Sequence, residues 1–218
     1  MTAAYITLFC WTISAIAASR AAAYLGGVRA SRARLLLAFV LLVIPVLALG
    51  RVIPLGPTAA WLMLSGAVGL GLGDLAFFLA CERTGARLVV LIEQCAAVPL
   101  AAALEWWWLG GTLTLTQIAA CALCVVGVAI ALAPGSPLAQ SRRDLFLGTV
   151  GALIAALGLA VSGVITRQAV AVAIGDGVDL SGPAGGLSAA LWRILGGIIV
   201  VVGGTMLWPW LRFGVRTK

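Results

Sequence analysis

Seven stretches of the chain, each of about 17 to 25 residues, are too apolar to face water along their whole length. They cover about 3–23, 34–50, 58–81, 86–109, 114–133, 145–171 and 186–209. A bilayer core of about 30 Å takes roughly 20 helical residues at 1.5 Å each, so these lengths fit membrane spans. In lipid the backbone must satisfy its own hydrogen bonds, and a helix does so within one segment. The predicted fold class is therefore all-α, a polytopic membrane helix bundle. Composition agrees: 63% of the residues are hydrophobic and only 10% charged, against about 25% charged in ordinary soluble domains.

Short joints carry the residues that reverse a chain: Gly26-Gly27, Pro54 to Pro57, Gly110-Gly111 and Pro134 to Pro137. One longer joint, about 172–185, "VAIGDGVDLSGPAG", is expected as an exposed loop. The start of the chain lacks a basic segment, and its apolar run is too long for a signal peptide, so it is expected as a retained span. The net charge of +7 does not form a basic face, and nucleic acid is not an expected partner. Arginines flank the spans instead, eleven of the fourteen basic residues falling on one side. The positive-inside rule then expects the N-terminus outside.

What is missing narrows the chemistry. The chain has no histidine, and its one lysine is Lys218. Histidine-based catalysis, His-containing zinc sites and an internal Schiff-base lysine are excluded, so neither an enzyme nor a retinal photoreceptor is expected, and no cofactor or metal. Cys121 and Cys124 have C-x-x-C spacing, but they lie in an apolar run with no second ligand pair. They are expected as small packing residues.

The chain also repeats itself. "SAIAASRAAAYLGG" in the first span has a counterpart in "LAVSGVITRQAVAVAIG" of the sixth, aligning Ser19-Arg20 with Thr166-Arg167. Each is followed by a joint and an arginine near the start of the next span, Arg34 and Arg193, the second joint being about a dozen residues longer. The copies are offset by five spans, and an odd offset places them in opposite orientations, the inverted repeat of many secondary transporters. The domain reading is a five-span unit over 1–134, a partial second unit of two spans over 145–210 and a polar tail, 211–218.

These features resemble the EamA-type transporters of the drug/metabolite transporter superfamily, ten-helix proteins of two five-helix repeats. The likeness rests on "CWTISAIAASRAAAYLG" (10–26), "RLLLAFVLL" (34–42) and the block 73–134 from "GDLAFFLACERTGARLVVLIEQCAAVP" to "VGVAIALAP". Where the family usually places Glu after Leu-Gly, this chain has Gly111, with Glu105 and Trp106 to Trp108 before it. Helices eight to ten of the family pattern are also missing. The resemblance implies a carrier or exporter of metabolites or drug-like compounds in a bacterial cytoplasmic membrane. Its partners would be the bilayer and a small-molecule substrate, with homo-oligomerisation open. The competing expectation is a truncated transporter, inactive as a monomer, or a seven-helix protein of other function.

Site candidates follow from the cost of charge in lipid, roughly 2.5 to 3.5 kcal/mol for an ionised side chain at mid-bilayer. Glu93, beside Gln94 and flanked by apolar residues, is either a proton or substrate group or a structural partner of Arg20 or Arg34. Asp74 follows Gly69 and Gly73, which let another helix approach closely. Glu82, near Arg83 and Arg87, reads as an interfacial ion pair. Arg20 either snorkels to the interface or meets an anion. Trp11, Ser14 and Trp192 are cavity-lining candidates, and Trp106 to Trp108 an interfacial aromatic belt.

Overall fold

The computed structural model describes residues 2–48, 56–110, 114–132, 141–178, 180 and 182–207. Within them lie seven helices and no strand. They are α1 (Thr2–Leu25), α2 (Gly27–Ala48), α3 (Pro57–Thr84), α4 (Ala86–Leu109), α5 (Leu115–Leu132), α6 (Arg142–Gly175) and α7 (Pro183–Leu207). Five of these, α2, α3, α4, α6 and α7, are long and apolar enough to cross a membrane. The sequence reading of seven spans is thus met by seven helices, but α1 and α5 are not among those five. The turn between Pro134 and Pro137 and the tail fall outside the described residues.

Two joints are tighter than expected. Gly26 alone separates α1 from α2, and Gly85 alone separates α3 from α4; both have φ +80. A side chain would be strained in that left-handed region, so glycine permits each one-residue reversal. This corrects the start of the second span: with only Gly26 between helices, the polar stretch from Gly27 to Arg32 is already helical. The long joint is also shorter than read, because α6 runs to Gly175 and α7 starts at Pro183. Nor is it wholly exposed, since Leu180 packs against the buried cluster of Leu62 and Ala169.

Three contacts fix which helix ends share a face. The Gly27 amide donates to Glu82 Oε2 at 3.1 Å, and Arg83 pairs with Asp144 at 3.7 Å. These put the α1–α2 turn, the end of α3 and the start of α6 together, on what is here termed the Gly26 face. At the other end Thr58 Oγ1 donates to Asp176 Oδ2 at 3.4 Å, joining the start of α3 to the end of α6. This is the Thr58 face. Consequently α1 runs from the Thr58 face to the Gly26 face and α6 runs the opposite way, as an inverted repeat of the α1–α2 hairpin requires. Glu82 is not the expected arginine partner. It accepts from an unpaired amide at the positive end of α2, which suits a carboxylate equally well.

Helix α3 is the centre, packed on α1, α2, α4, α6 and α7, whereas α5 leans on α4. Its middle, Ala67–Gly73, is a π-helical segment, "AVGLGLG". At about 100° per residue, Gly69 and Gly73 share one side and Gly71 the opposite one. The first side meets α6: a Cβ on Gly69 would lie 2.5 Å from Ser162 Oγ, and Gly73 lies against Gly158. The opposite side meets α7 at Val200, and above it Gly66 and Gly196 bring the two backbones together. Apolar burial drives no helix pairing within lipid, so such bare-backbone approach supplies the contact through close packing.

Replacing those glycines tests this packing. Cβ atoms on Gly66 and Gly196 would sit 1.8 Å from the Arg193 carbonyl oxygen and 2.0 Å from that of Met63. Gly66→Ala and Gly196→Ala should each lower the apparent Tm of the detergent-solubilised protein by about 5 °C or more, as overpacking of about 1 to 3 kcal/mol implies. Gly163 has open space around its Cβ position, so Gly163→Ala should leave Tm unchanged or raise it slightly.

Candidate functional site

A partly open cleft among α1, α2, α3 and α4 is lined by Trp11, Ser14, Ala15, Ala18, Arg34, Asp74, Phe77 and Glu93. Four helices supply these groups at similar depth because the two one-residue turns set their starting levels. Arg34 and Glu93 each lie seven residues from the Gly26 face and Asp74 ten, which is about 10 to 15 Å into the bundle. The free volume is about 40 Å³. That accommodates a water molecule or two, against the several hundred Å³ of a typical small-molecule site.

Charge dominates the cleft. Arg34 Nη1 donates to Asp74 Oδ2, and its guanidinium carbon lies 6.0 Å from the centroid of the Phe78 ring. Asp74 is half-buried and Glu93 fully buried. No salt bridge to Glu93 is present among the described residues; its charge instead interacts with those of Asp74 and Arg34 at longer range. A second cation approaches from the other side. Arg193 on α7 is half-buried, donates from Nη2 to Ser162 Oγ at 3.2 Å and interacts electrostatically with Asp74. Ser162 is itself held in a buried hydroxyl network, with Ser65 Oγ 2.9 Å from Ser162 Oγ and 2.7 Å from Thr166 Oγ1.

Unpaired, four such charges would cost roughly 10 kcal/mol at mid-bilayer, comparable to the whole stability of a domain. Two arginines facing two carboxylates offset that cost by mutual neutralisation. The close Asp74 and Arg34 pair is the part that geometry makes explicit.

Of the eight residues singled out from sequence, Trp11, Ser14, Arg34, Asp74 and Glu93 line the cleft and Arg20, Gln94 and Trp192 do not. Arg20 is exposed on α1, nearly two turns beyond Ser14 toward the Gly26 face. Gln94 is outside the lining, although its side chain lies close enough to Glu93 to interact with it. Trp192 belongs to the apolar cluster of Leu62, Trp61, Ala169 and Leu180 near the Thr58 face. Of the two roles open for Glu93, the direct pair with Arg20 or Arg34 is not formed among the described residues, where Arg34 pairs with Asp74.

Arg193 was read as a flanking charge, yet α7 begins ten residues earlier and carries it almost three turns inside. Its alignment with Arg34 was the available signal. Arg167, the counterpart of Arg20, pairs with Glu105 on α4. Cys121 and Cys124 are free and half-buried, and no cluster of metal-binding side chains occurs among the described residues. Trp106, Trp107 and Trp108 are exposed at the end of α4, where boundary-seeking indoles belong.

Comparison with known proteins gives one family. The model of the EamA-like transporter family matches residues 1–133, which is more than half of the chain and includes every residue that lines the cleft. No curated protein and no solved structure matches.

The ion pair makes a stability prediction. Asp74→Asn leaves two arginine charges facing one remaining carboxylate, and breaking a buried pair costs about 3 to 5 kcal/mol. The apparent Tm should fall by about 6 °C or more. Adding Arg34→Gln to that variant should recover part of the loss, as thermal unfolding in detergent would show.

Proposed function

Since the chain belongs to the EamA-like transporter family, we propose that it is a secondary carrier of small molecules whose path crosses the Asp74 and Glu93 cleft. The observation that carries this reading is the convergence of Arg34, Asp74 and Glu93 from three helices on one partly open cleft within the membrane-spanning bundle. Intramembrane acids on a bundle interior are typical of substrate and proton routes.

The division of labour follows from the partners. Asp74 is engaged by Arg34, so its charge is committed. Glu93 makes no salt bridge among the described residues, so its carboxylate is the group left for a proton or a cationic substrate. Trp11 offers an indole face against which an amphipathic or cationic molecule can lie. Proton binding at Glu93 on one side of the membrane and substrate binding on the other would make an exporter of metabolites or drug-like compounds. The small cleft volume suits a contracted state of that cycle, which widens when one hairpin rocks against the other. Arg29, Arg83, Arg142 and Arg143 cluster toward the Gly26 face, which favours that face on the cytoplasmic side of a bacterial inner membrane.

Two-sided accessibility tests the carrier without knowledge of its substrate. A Ser14→Cys variant in an otherwise cysteine-free chain should react with a membrane-impermeant maleimide from both faces, in right-side-out and in inverted vesicles. Labelling from neither face would refute a path through this cleft. With ethidium as probe, proton-driven movement should drop about tenfold or more in Glu93→Gln, whose amide cannot take up and release the proton. Undiminished movement would remove Glu93 from the mechanism.

A further inference from the structure

The repeat read from the sequence aligns Arg193 with Arg34, and the helix boundaries set the arginines of the two copies at related distances from their turns. Arg20 lies five residues before the end of α1 and Arg167 eight before the end of α6. Arg34 lies seven residues after the start of α2 and Arg193 ten after the start of α7. Both legs of the second hairpin are longer by the same three residues, so each arginine of that copy lies three residues farther from its turn than its counterpart does. Because the hairpins are inverted, Arg34 reaches the bundle centre from the Gly26 face and Arg193 from the Thr58 face.

Asp74 stands between them. Arg34 is bonded to it, while Arg193 is held at Ser162 by one nitrogen. Its Nε is buried and makes no hydrogen bond among the described residues. A guanidinium carries five donors and keeps its charge, so one at mid-membrane with an idle buried donor lacks its full set of partners. Its nearest network, Ser65, Ser162 and Thr166, is neutral and already internally bonded.

We propose that Arg193 is a positioning residue of the transport cycle: it is the alternate partner of Asp74, taking the carboxylate when Arg34 releases it. In the present state the Arg34 pair ties α2 to α3 and closes the Gly26 side. In the opposite state the Arg193 pair ties α7 to α3 and closes the Thr58 side. The same carboxylate serves both closures, so both cannot form fully at once, and that exclusion is what alternating access demands. The assignment rests on the carrier reading for its role, but the pairing itself can be measured without transport.

Two readouts separate the pairing from its use. In the first, thermal unfolding in nanodiscs compares Arg34→Gln, Arg193→Gln and the double variant. The double loss should exceed the sum of the single losses by about 3 °C or more, the size expected for residues that share a partner. In an Asp74→Asn background the excess should vanish. Additive losses, or an excess that persists without Asp74, overturn the proposal. Should Arg193→Gln not fold, Ser162→Ala serves: by releasing Arg193 it should return part of the Tm lost in Arg34→Gln, and a further loss overturns the proposal.

The second readout is the direction of maleimide labelling at Ser14→Cys. Arg34→Gln should favour labelling from the Gly26 face by about threefold or more, and Arg193→Gln the Thr58 face, as a shift of one two-state equilibrium requires. Shifts toward the same face for both variants overturn the alternate use of Asp74. A parent Ser14→Cys protein that reacts from neither face instead condemns the carrier reading and leaves the unfolding result to judge the pairing.

Discussion

Everything in this bundle depends on how closely α3 can be approached. A helix in lipid gains little from turning apolar side chains toward its neighbours, because lipid tails offer the same environment. The stretch "AVGLGLG" removes the side chains themselves, alternately from two opposite sides, so α6 and α7 press onto the same few residues. Such a segment has poor intrinsic helix propensity, Gly being about 1 kcal/mol worse than Ala at each position. Its π-helical winding is the visible consequence, and packing from both sides offsets the loss. Asp74 follows immediately, and the close approach of α7 at Gly66 is what brings Arg193 within electrostatic range of it.

The charge arrangement grows from that packing and limits what the cleft can do. Arg34 and Arg193 keep their charge under any ordinary condition, so the carboxylates are the groups whose state can vary. With both ionised the cluster is neutral, and a proton taken up at either leaves an excess positive charge in a medium that tolerates it poorly. Uptake of an anionic group together with the proton restores neutrality, while exchange of a proton for a monovalent cation leaves the net charge unchanged. In the proposed carrier, charge balance of this kind would link proton and solute.

Much of this was legible in the sequence, for identifiable reasons. Apolar runs and their Gly or Pro joints mark helices because bilayer thickness sets their length, and the small residues Gly69 and Gly73 signal close approach because spacing by four shares a face. Glu93, Asp74, Arg34, Trp11 and Ser14 stand out since charged and polar groups are costly between apolar flanks, and they do meet in one cleft. The misreadings share a different cause. Glu82 was matched to its sequence neighbours Arg83 and Arg87, but its partner is a backbone amide 55 residues away that no side-chain pattern records. Trp192 is amphipathic enough to line a cavity or to pack, and only the placement of Leu62 and Leu180 decides. Arg193 was counted with the charges of the adjoining loop although the span read over 186–209 already enclosed it, and the helix start at Pro183 carries it deeper still.

The offset between the two hairpins has a mechanical consequence. Asp74 lies close to the level of Arg34, whereas α7 crosses α3 at Gly66, eight residues earlier and about 12 Å away along the axis. An arginine side chain spans part of that distance, so a direct pair with Arg193 needs α3 to shorten, tilt or slide between the two points. The π-helical segment, Ala67–Gly73, is the part of α3 lying between Gly66 and Asp74. Its wider winding places an extra residue in the turn, and rewinding to α-helix shifts the register of everything beyond it by about 100°. Rotation of that size would turn Asp74 out of the cleft that α1 and α2 line. The glycines that let α3 be gripped from both sides are the same residues that let it rewind, since no side chain on Gly69, Gly71 or Gly73 must leave one packed site for another.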